Sequence, residues 1–224
     1  MGYGGAPKVL CFIAQSLSDL GYDSHIANLM ITSNIVEQKL SGDVKIHNVP
    51  SNKGKVLRRL DQLHKIENIA KLVKADVVIG FTQYPNIIAT IVARRLKIKS
   101  IISERGDPNR TMGKGIVSRL LLSIINKADG GIFQTDGAMK FYSTKLQARS
   151  KIIPNPLFLP LEQFPERNPS KIRKTIVSAG RLDNRQKRYD VMLRAFVIFS
   201  KSHPNYILRI IGDGADEEKI REWC

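Results

Sequence analysis

Apolar and polar positions along this chain fall into blocks of changing period, and the blocks predict helices and strands in turn. Residues 7–20 place Val9, Leu10, Phe12, Ile13, Leu17 and Leu20 on one helical face, with Pro7 as a start signal and Gly21 as a stop. Residues 24–29 and 44–49 read as short strands. Residues 55–74 form a long amphipathic helix, apolar at Val56, Leu60, Leu63, Ile66, Ile69, Ala70 and Val73. The run DVVIGF at 76–81 has the pattern of a strand buried in a parallel sheet. A helix at 86–96, a strand at 99–103, a helix at 115–127, a strand at 130–134, a helix near 138–146 and a strand at 150–153 follow. After a proline-rich stretch the alternation resumes. A strand at 174–179 (KTIVSA) leads to a helix over 191–202 and a second strand within YILRIIGDG at 206–214.

This alternation predicts an α/β protein of doubly wound parallel sheets. Pro154, Pro156, Pro160, Pro165 and Pro169 mark an interdomain linker. The expected organisation is a first domain at 1–153, a linker at 154–173 and the start of a second domain at 174–224.

Composition narrows the setting. The apolar share is 42%, enough to bury a core, and two cysteines, Cys11 and Cys224, argue against a disulfide framework. With no apolar segment of the signal-peptide kind at the N-terminus, a reducing, cytoplasmic compartment is expected. No run approaches the roughly 20 apolar residues that span a bilayer. The longest candidate, 116–125, is interrupted by Ser118, Arg119 and Ser123.

Net charge is +16, which calls for an anionic partner: nucleic acid, a phospholipid surface or a phosphorylated substrate. Residues 1–155 hold 23 Lys and Arg against 11 Asp and Glu, net +12, and residues 156–224 hold 13 against 9, net +4. The excess is spread over the predicted helices and loops of the first domain and forms no basic tail. Lys55, Arg58, Arg59 and Lys65 flank the stripe of the 55–74 helix. That arrangement suits a helix lying on anionic lipid, or one packed on a sheet with its charges in water.

Candidate chemistry concentrates at two strand ends. In G-R-L-D-N-R-Q-K-R-Y-D, residues 180–190, a strand runs into a glycine turn with fixed cations before a helix. Exposed N–H groups, a helix N-terminus and the charges of Arg181 and Lys187 make a device for gripping phosphate. The alternative is a βα loop with charges that merely face solvent. In the first domain Glu104, Arg105 and Asp107 follow a strand, where doubly wound folds place functional groups. A carboxylate there can orient or deprotonate a hydroxyl, and Arg105 can bind a phosphate. An Asp-Pro turn with a structural Glu-Arg pair explains the same residues. Gln83 and Tyr84, after the preceding strand, line that cleft or serve as loop.

His25, His47, His64 and His203 show neither ligand spacing nor cysteine partners, so no metal site is expected. There is no P-loop and no G-x-S-x-G elbow, which argues against an ATPase and against that class of hydrolase.

The order strand, G-R-L, Gln186-Lys187, a helix with Ala195-Phe196, a strand and G-D-G resembles the donor domain of glycosyltransferase family 4. So do three segments of the first half. ISERGDPN at 102–109 is similar to the S-E-R-N-D-P segment of a branch that builds lipid-linked or capsular glycans, with Gly106 where Asn is usual. IIPNP at 152–156 resembles the hinge, and GYGGAPKV the glycine loop that opens the first helix, with Pro7-Lys8 replacing the commoner Glu-Arg.

The resemblance implies the GT-B fold, two Rossmann-like domains, the second truncated here. It implies a retaining transfer of sugar from a nucleotide-sugar to a glycan or lipid-linked acceptor in cell-surface polysaccharide synthesis, with no metal or other cofactor. Arg181 and Lys187 would hold the donor diphosphate, with Gly4 and Gly5 letting backbone approach it. Glu104 and Asp107 would be catalytic and Arg105 acceptor-binding, with Gly212 and Gly214 shaping a turn beside the nucleotide. For Asp213 itself a plain αβ turn is the preferred reading.

The family's first strand and two-glutamate donor motif have no counterpart here, so the expectation is a fragment, inactive alone. The enzyme would be cytoplasmic and peripheral on an anionic membrane face. Rivals are another GT-B enzyme, a phosphorylase or nucleotide-sugar epimerase, and a basic nucleic-acid-binding protein. The last lacks aromatic stacking runs, zinc spacings and a helix-turn-helix pattern, so nucleic acid is not the expected partner.

Overall fold

The computed structural model describes residues 5–29, 40, 42–113, 115–157 and 174–224. The chain divides into two compact units, Met1–Phe158 and Leu159–Cys224. Gly4 and residues 158–173 of the expected linker lie outside the described residues.

The first unit opens with helix α1 (Gly5–Asp19), strand β1 (His25–Asn28) and strand β2 (Lys45–Asn48). Helix α2 (Lys55–Leu72) then leads to β3 (Val77–Phe81), α3 (Gln83–Leu96) and β4 (Lys99–Glu104). The unit continues through α4 (Pro108–Thr111), α5 (Ile116–Ile125), β5 (Gly130–Phe133), α6 (Asp136–Lys140), α7 (Thr144–Gln147) and β6 (Ser150–Ile152). Among the described residues all strand pairing is parallel, in the order β1-β2 in one sheet and β3-β4-β5-β6 in another.

Helix α3 is the hub of this unit. Ile87 packs with Ile102, Ile125, Phe133 and Leu146 in one core, while Ile88 and Val92 join Val49, Leu63, Ile66 and Ala70 in a second. The 55–74 stripe is therefore mostly core. Leu63, Ile66 and Ala70 are buried, and only Val56, Leu57 and Leu60 at the first turns, with Leu72 at the end, stand exposed. Of the DVVIGF run, Gly80 and Phe81 are buried, while Val77 at the start of β3 is exposed.

Two boundaries differ from expectation for identifiable reasons. Helix α3 begins at Gln83 and not after Pro85, because a proline in a first turn gives up an N–H that has no helical partner there. Gln83 and Tyr84 are thus helical, not loop. The single helix expected near 138–146 is two short ones, since Ser143 caps a new start by accepting from Leu146 N.

The second unit contains β7 (Thr175–Ala179), α8 (Asn184–Lys187), α9 (Tyr189–Ser202), β8 (Ile207–Ile211) and α10 (Glu217–Glu222). Strands β7 and β8 pair in parallel over their whole length. The small core is Leu182, Tyr189 and Ile220, with Met192, Leu193 and Ile210 against it. No helix among the described residues is long and apolar enough to cross a membrane.

Candidate functional site

The β4 strand ends in the first candidate site. Glu104 is 2% exposed. Its Oε1 accepts from the backbone N–H of Arg105 (3.0 Å) and Gly106 (3.2 Å), and its Oε2 accepts from the Tyr142 hydroxyl at 2.9 Å. Burial first, then the Glu104 charge, push the Tyr142 phenol far above its ordinary range. Both carboxylate oxygens are thus committed to holding the loop. Glu104, expected to orient or deprotonate a hydroxyl, is thus a buried carboxylate that also positions the loop, and it makes no ion pair with Arg105 among the described residues. Asp107 is exposed and acts as an N-cap, its Oδ1 accepting from Asn109 N at 3.0 Å, as the Asp-Pro turn reading anticipates.

Arg105 is half-buried between neutral groups. Its Nε donates to Ser103 Oγ at 2.8 Å and its Nη1 to Asn155 Oδ1 at 3.0 Å. The guanidinium carbon lies 4.7 Å from the Phe81 ring centroid. Burial pulls its pKa below the usual value. Phe81, Ser103 and Asn155 follow or end β3, β4 and β6, so Arg105 sits at the C-terminal edge of the four-stranded sheet. A groove lined by Gly106, Asp107, Pro108, Asn109, Gln134, Thr135, Gly137 and Ala138 adjoins it.

Tight backbone packing fixes that edge. A Cβ on Gly80 would fall 2.5 Å from Asn86 Cα, and the fully buried Asn86 exchanges hydrogen bonds with the Ser103 backbone. Tyr84 turns away from the edge and donates to Gln62 Oε1 at 3.1 Å, bracing α3 on α2. Gln83 donates to Met112 Sδ at 3.1 Å.

The second candidate site follows β7. The backbone of Gly180 donates to Ile211 O at 3.0 Å and that of Leu182 to Asp213 O at 2.7 Å, so the G-R-L loop lies directly on the G-D-G turn. A Cβ on Gly212 would sit 1.9 Å from Gly180 O, and one on Gly214 2.4 Å from Leu182 O. The two glycines have φ of +149° and +158°. They permit loop-on-loop packing, and Asp213 contributes backbone to it. The buried Tyr189 hydroxyl reaches Gly180 O and Arg181 O, each at 3.3 Å. Asp216 Oδ2 accepts from Asn184 N at 2.7 Å.

Arg181 and Lys187 are both exposed on this framework, and Lys187 Cε lies 3.8 Å from the Cβ position of Gly180. The cations and the glycine loop are brought together. An open helix N-terminus is not. Lys187 ends α8, and Arg188 breaks the helix in a left-handed conformation (φ 54°). The first turn of α9 is already occupied, with Asp190 N on Asn184 Oδ1 and Val191 N and Met192 N on Arg188 O. Arg188 grips Asp190 through two 3.0 Å hydrogen bonds, holding that carboxyl well below its usual pKa. Gly5, by contrast, opens α1 in the first unit, with nothing within 4 Å of its Cβ position.

Sequence reasoning missed Tyr142, Asn155, Phe81 and Tyr189. Tyr142, Asn155 and Phe81 lie far in sequence from the residues they hold; Tyr189 lies within the 180–190 motif, where nothing marks its hydroxyl as the brace. Among the described residues there is no cluster of three or more His, Cys, Asp or Glu suited to a metal ion.

Residues 161–224, which contain the whole G-R-L and G-D-G framework, match the family model described as glycosyl transferases group 1. An uncharacterized glycosyltransferase of Haemophilus influenzae is 25% identical over 230 residues, 97% of this chain and 61% of that protein. Among solved structures, the apo lipopolysaccharide outer core galactosyltransferase WaaB is similar with a TM-score of 0.67 at 16% identity, covering 99% of this chain and 61% of WaaB. Anabaena Alr3699/HepE in complex with UDP and glucose gives 0.70 at 14% identity, over 99% and 62%. A putative UDP-N-acetylglucosamine 2-epimerase from Listeria monocytogenes gives 0.60 at 13% identity, over 99% and 63%. At these identities the structural likeness shows the fold alone, α/β with parallel sheets of the GT-B type. The chain spans about 61% of the length of the first relatives it matches.

Proposed function

We propose that the protein is a retaining glycosyltransferase that moves a sugar from a nucleotide-sugar to a glycan or lipid-linked glycan in cell-surface polysaccharide synthesis. The observation that carries this reading is the pair Arg181 and Lys187, exposed over a glycine loop that the G-D-G turn clasps, within the segment matched to glycosyl transferases group 1. Two fixed cations there stabilise the diphosphate as it departs, where negative charge grows in the transition state. A metal ion is not needed for that role. UDP in HepE supports a uridine nucleotide as the first donor to try. Asp107, exposed at the β4 edge, is the carboxylate available to orient an acceptor hydroxyl.

The test is a donor-hydrolysis screen with UDP-, GDP- and ADP-sugars, with and without EDTA, reading release of nucleoside diphosphate. Arg181→Ala should cost roughly 100-fold in turnover, the scale of losing one transition-state donor. Silence across the panel, or turnover untouched by the substitution, overturns the reading. Interconversion of the UDP-sugar without release would favour the epimerase alternative that the Listeria monocytogenes protein raises.

The partner surface follows from exposure. Helices α2 and α5 each lead into a strand of the β3–β6 sheet, so their first turns share its C-terminal edge. Val56, Leu57 and Leu60 on one, and Ile116, Val117 and Leu120 on the other, are exposed beside the exposed Arg58, Arg59 and Arg119. Apolar turns fringed by arginine suit an anionic membrane face. In flotation, phosphatidylglycerol vesicles should carry the protein better than phosphatidylcholine ones, and Leu60→Gln with Leu120→Gln should erase the difference. Equal flotation on both lipids sinks the idea.

A further inference from the structure

Arg105 differs from the ion-paired cations of the first unit. Lys53 and Lys65 pair with Asp61, Lys71 and Arg95 with Glu67, Lys99 with Asp129, and Lys140 with Asp136. Arg105 has no carboxylate within ion-pair distance among the described residues, although Glu104 is its chain neighbour. That carboxylate is turned inward to Tyr142 and the loop amides.

A guanidinium has five N–H donors. Ser103 and Asn155 take two of them, on Nε and Nη1, while the Phe81 ring covers a face. The rest of the fork has no protein acceptor among the described residues. A half-buried charge kept from its nearest anion and fixed by three neutral contacts costs stability unless something else compensates it. The planar fork matches phosphate oxygens, and the C-terminal edge of a parallel sheet is where such folds receive ligands.

We infer that Arg105 is a preorganised receptor for a phosphate group, and that the phosphate belongs to the acceptor, not the sugar donor. The inference rests on the glycosyltransferase reading for the word acceptor, and on geometry alone for the anion. Donor diphosphate already has Arg181 and Lys187 in the other unit. The acceptor class is then a phosphate- or diphosphate-bearing molecule with its hydroxyl placed near Asp107 and the adjoining groove.

The test is calorimetric titration of the chain with two probes, geranyl diphosphate and UDP. Arg105→Ala and Arg105→Gln should both weaken geranyl diphosphate roughly ten- to hundred-fold, the scale of one or two charge-assisted hydrogen bonds, and leave UDP unchanged. Arg181→Ala should do the reverse. Glutamine retains an N–H for Ser103 or Asn155, so a loss shared by both Arg105 variants is not collapse of the loop. If Arg105 variants lose UDP and keep geranyl diphosphate, the phosphate is the donor's and the assignment is overturned. No binding of geranyl diphosphate by the unaltered chain, or binding indifferent to Arg105, overturns it as well. UDP binding that vanishes only in Arg181→Ala tests the donor reading separately, so the two failures are distinguishable.

Discussion

The loops after β4 and after β7 occupy the same place in their sheets, at the C-terminal end of a parallel strand, yet they are held by opposite means. The β4 loop is held by side chains. Glu104 gathers two loop amides and is itself anchored by Tyr142, 38 residues away, while Arg105 is fixed by Ser103, Asn155 and Phe81. The β7 loop is held chiefly by backbone, lying against the G-D-G turn through Gly180 N, Leu182 N and two glycines with no room for a Cβ. The first construction leaves a single cation fixed in place. The second leaves its cations, Arg181 and Lys187, exposed.

The sharpest break of this comparison is a methyl group. Gly212→Ala would force a Cβ to 1.9 Å from Gly180 O at a φ of +149°, so the G-R-L loop must leave its turn. A loss on the order of 3–5 kcal/mol is expected from strain plus broken loop packing. Trp223 is the chain's one tryptophan and lies in the second unit, so the shift should appear in urea unfolding followed by its fluorescence. Gly106→Ala is the matched control in the β4 loop. Its Cβ would meet only Glu104 Oε1 at 3.8 Å and Thr111 Cγ2 at 4.0 Å, both ordinary contacts. It should change stability by no more than about 0.5 kcal/mol. Equal effects from the two substitutions would erase the distinction between backbone-held and side-chain-held loops.

The same contrast explains what was legible in the amino-acid sequence. A loop held by backbone leaves its trace locally: glycines at 180, 212 and 214 next to apolar strands, with Arg181 and Lys187 at fixed offsets. Those residues were readable from spacing and resemblance. The α/β alternation was readable too, because each strand carries its own apolar run. A loop held by side chains leaves no such trace. Nothing near Glu104 points to Tyr142 or Asn155, so an acidic residue at a strand end invited a catalytic reading with no sign of its burial or of the distant hydroxyl that holds it. The break at Arg188 was hidden for a similar reason. A non-glycine residue takes a left-handed conformation there, next to the Asp190 carboxylate that its side chain grips. The start of α3 was hidden by Pro85, which marks a boundary only when it is not in the first turn.

A smaller effect tests the β4 side of the comparison. Tyr142→Phe keeps the ring that packs 5.1 Å from Phe133 and removes only the hydroxyl that donates to Glu104 Oε2. A hydrogen bond to a buried charged acceptor is worth roughly 1.5–3 kcal/mol, and that loss should appear in the urea transition followed by far-UV circular dichroism. The Trp223 fluorescence transition of the second unit should stay in place. The pH dependence gives a second readout. Burial and the Glu104 charge raise the folded Tyr142 pKa above its ordinary value of 10.0. The contribution is therefore fully present below pH 10 and declines as pH climbs from there toward the folded value, because the unfolded chain releases its proton first. The unaltered protein should lose stability over that alkaline span more steeply than Tyr142→Phe. Parallel alkaline profiles would mean that Tyr142 does not anchor the buried Glu104, and the β4 loop would then owe its shape to backbone as the β7 loop does.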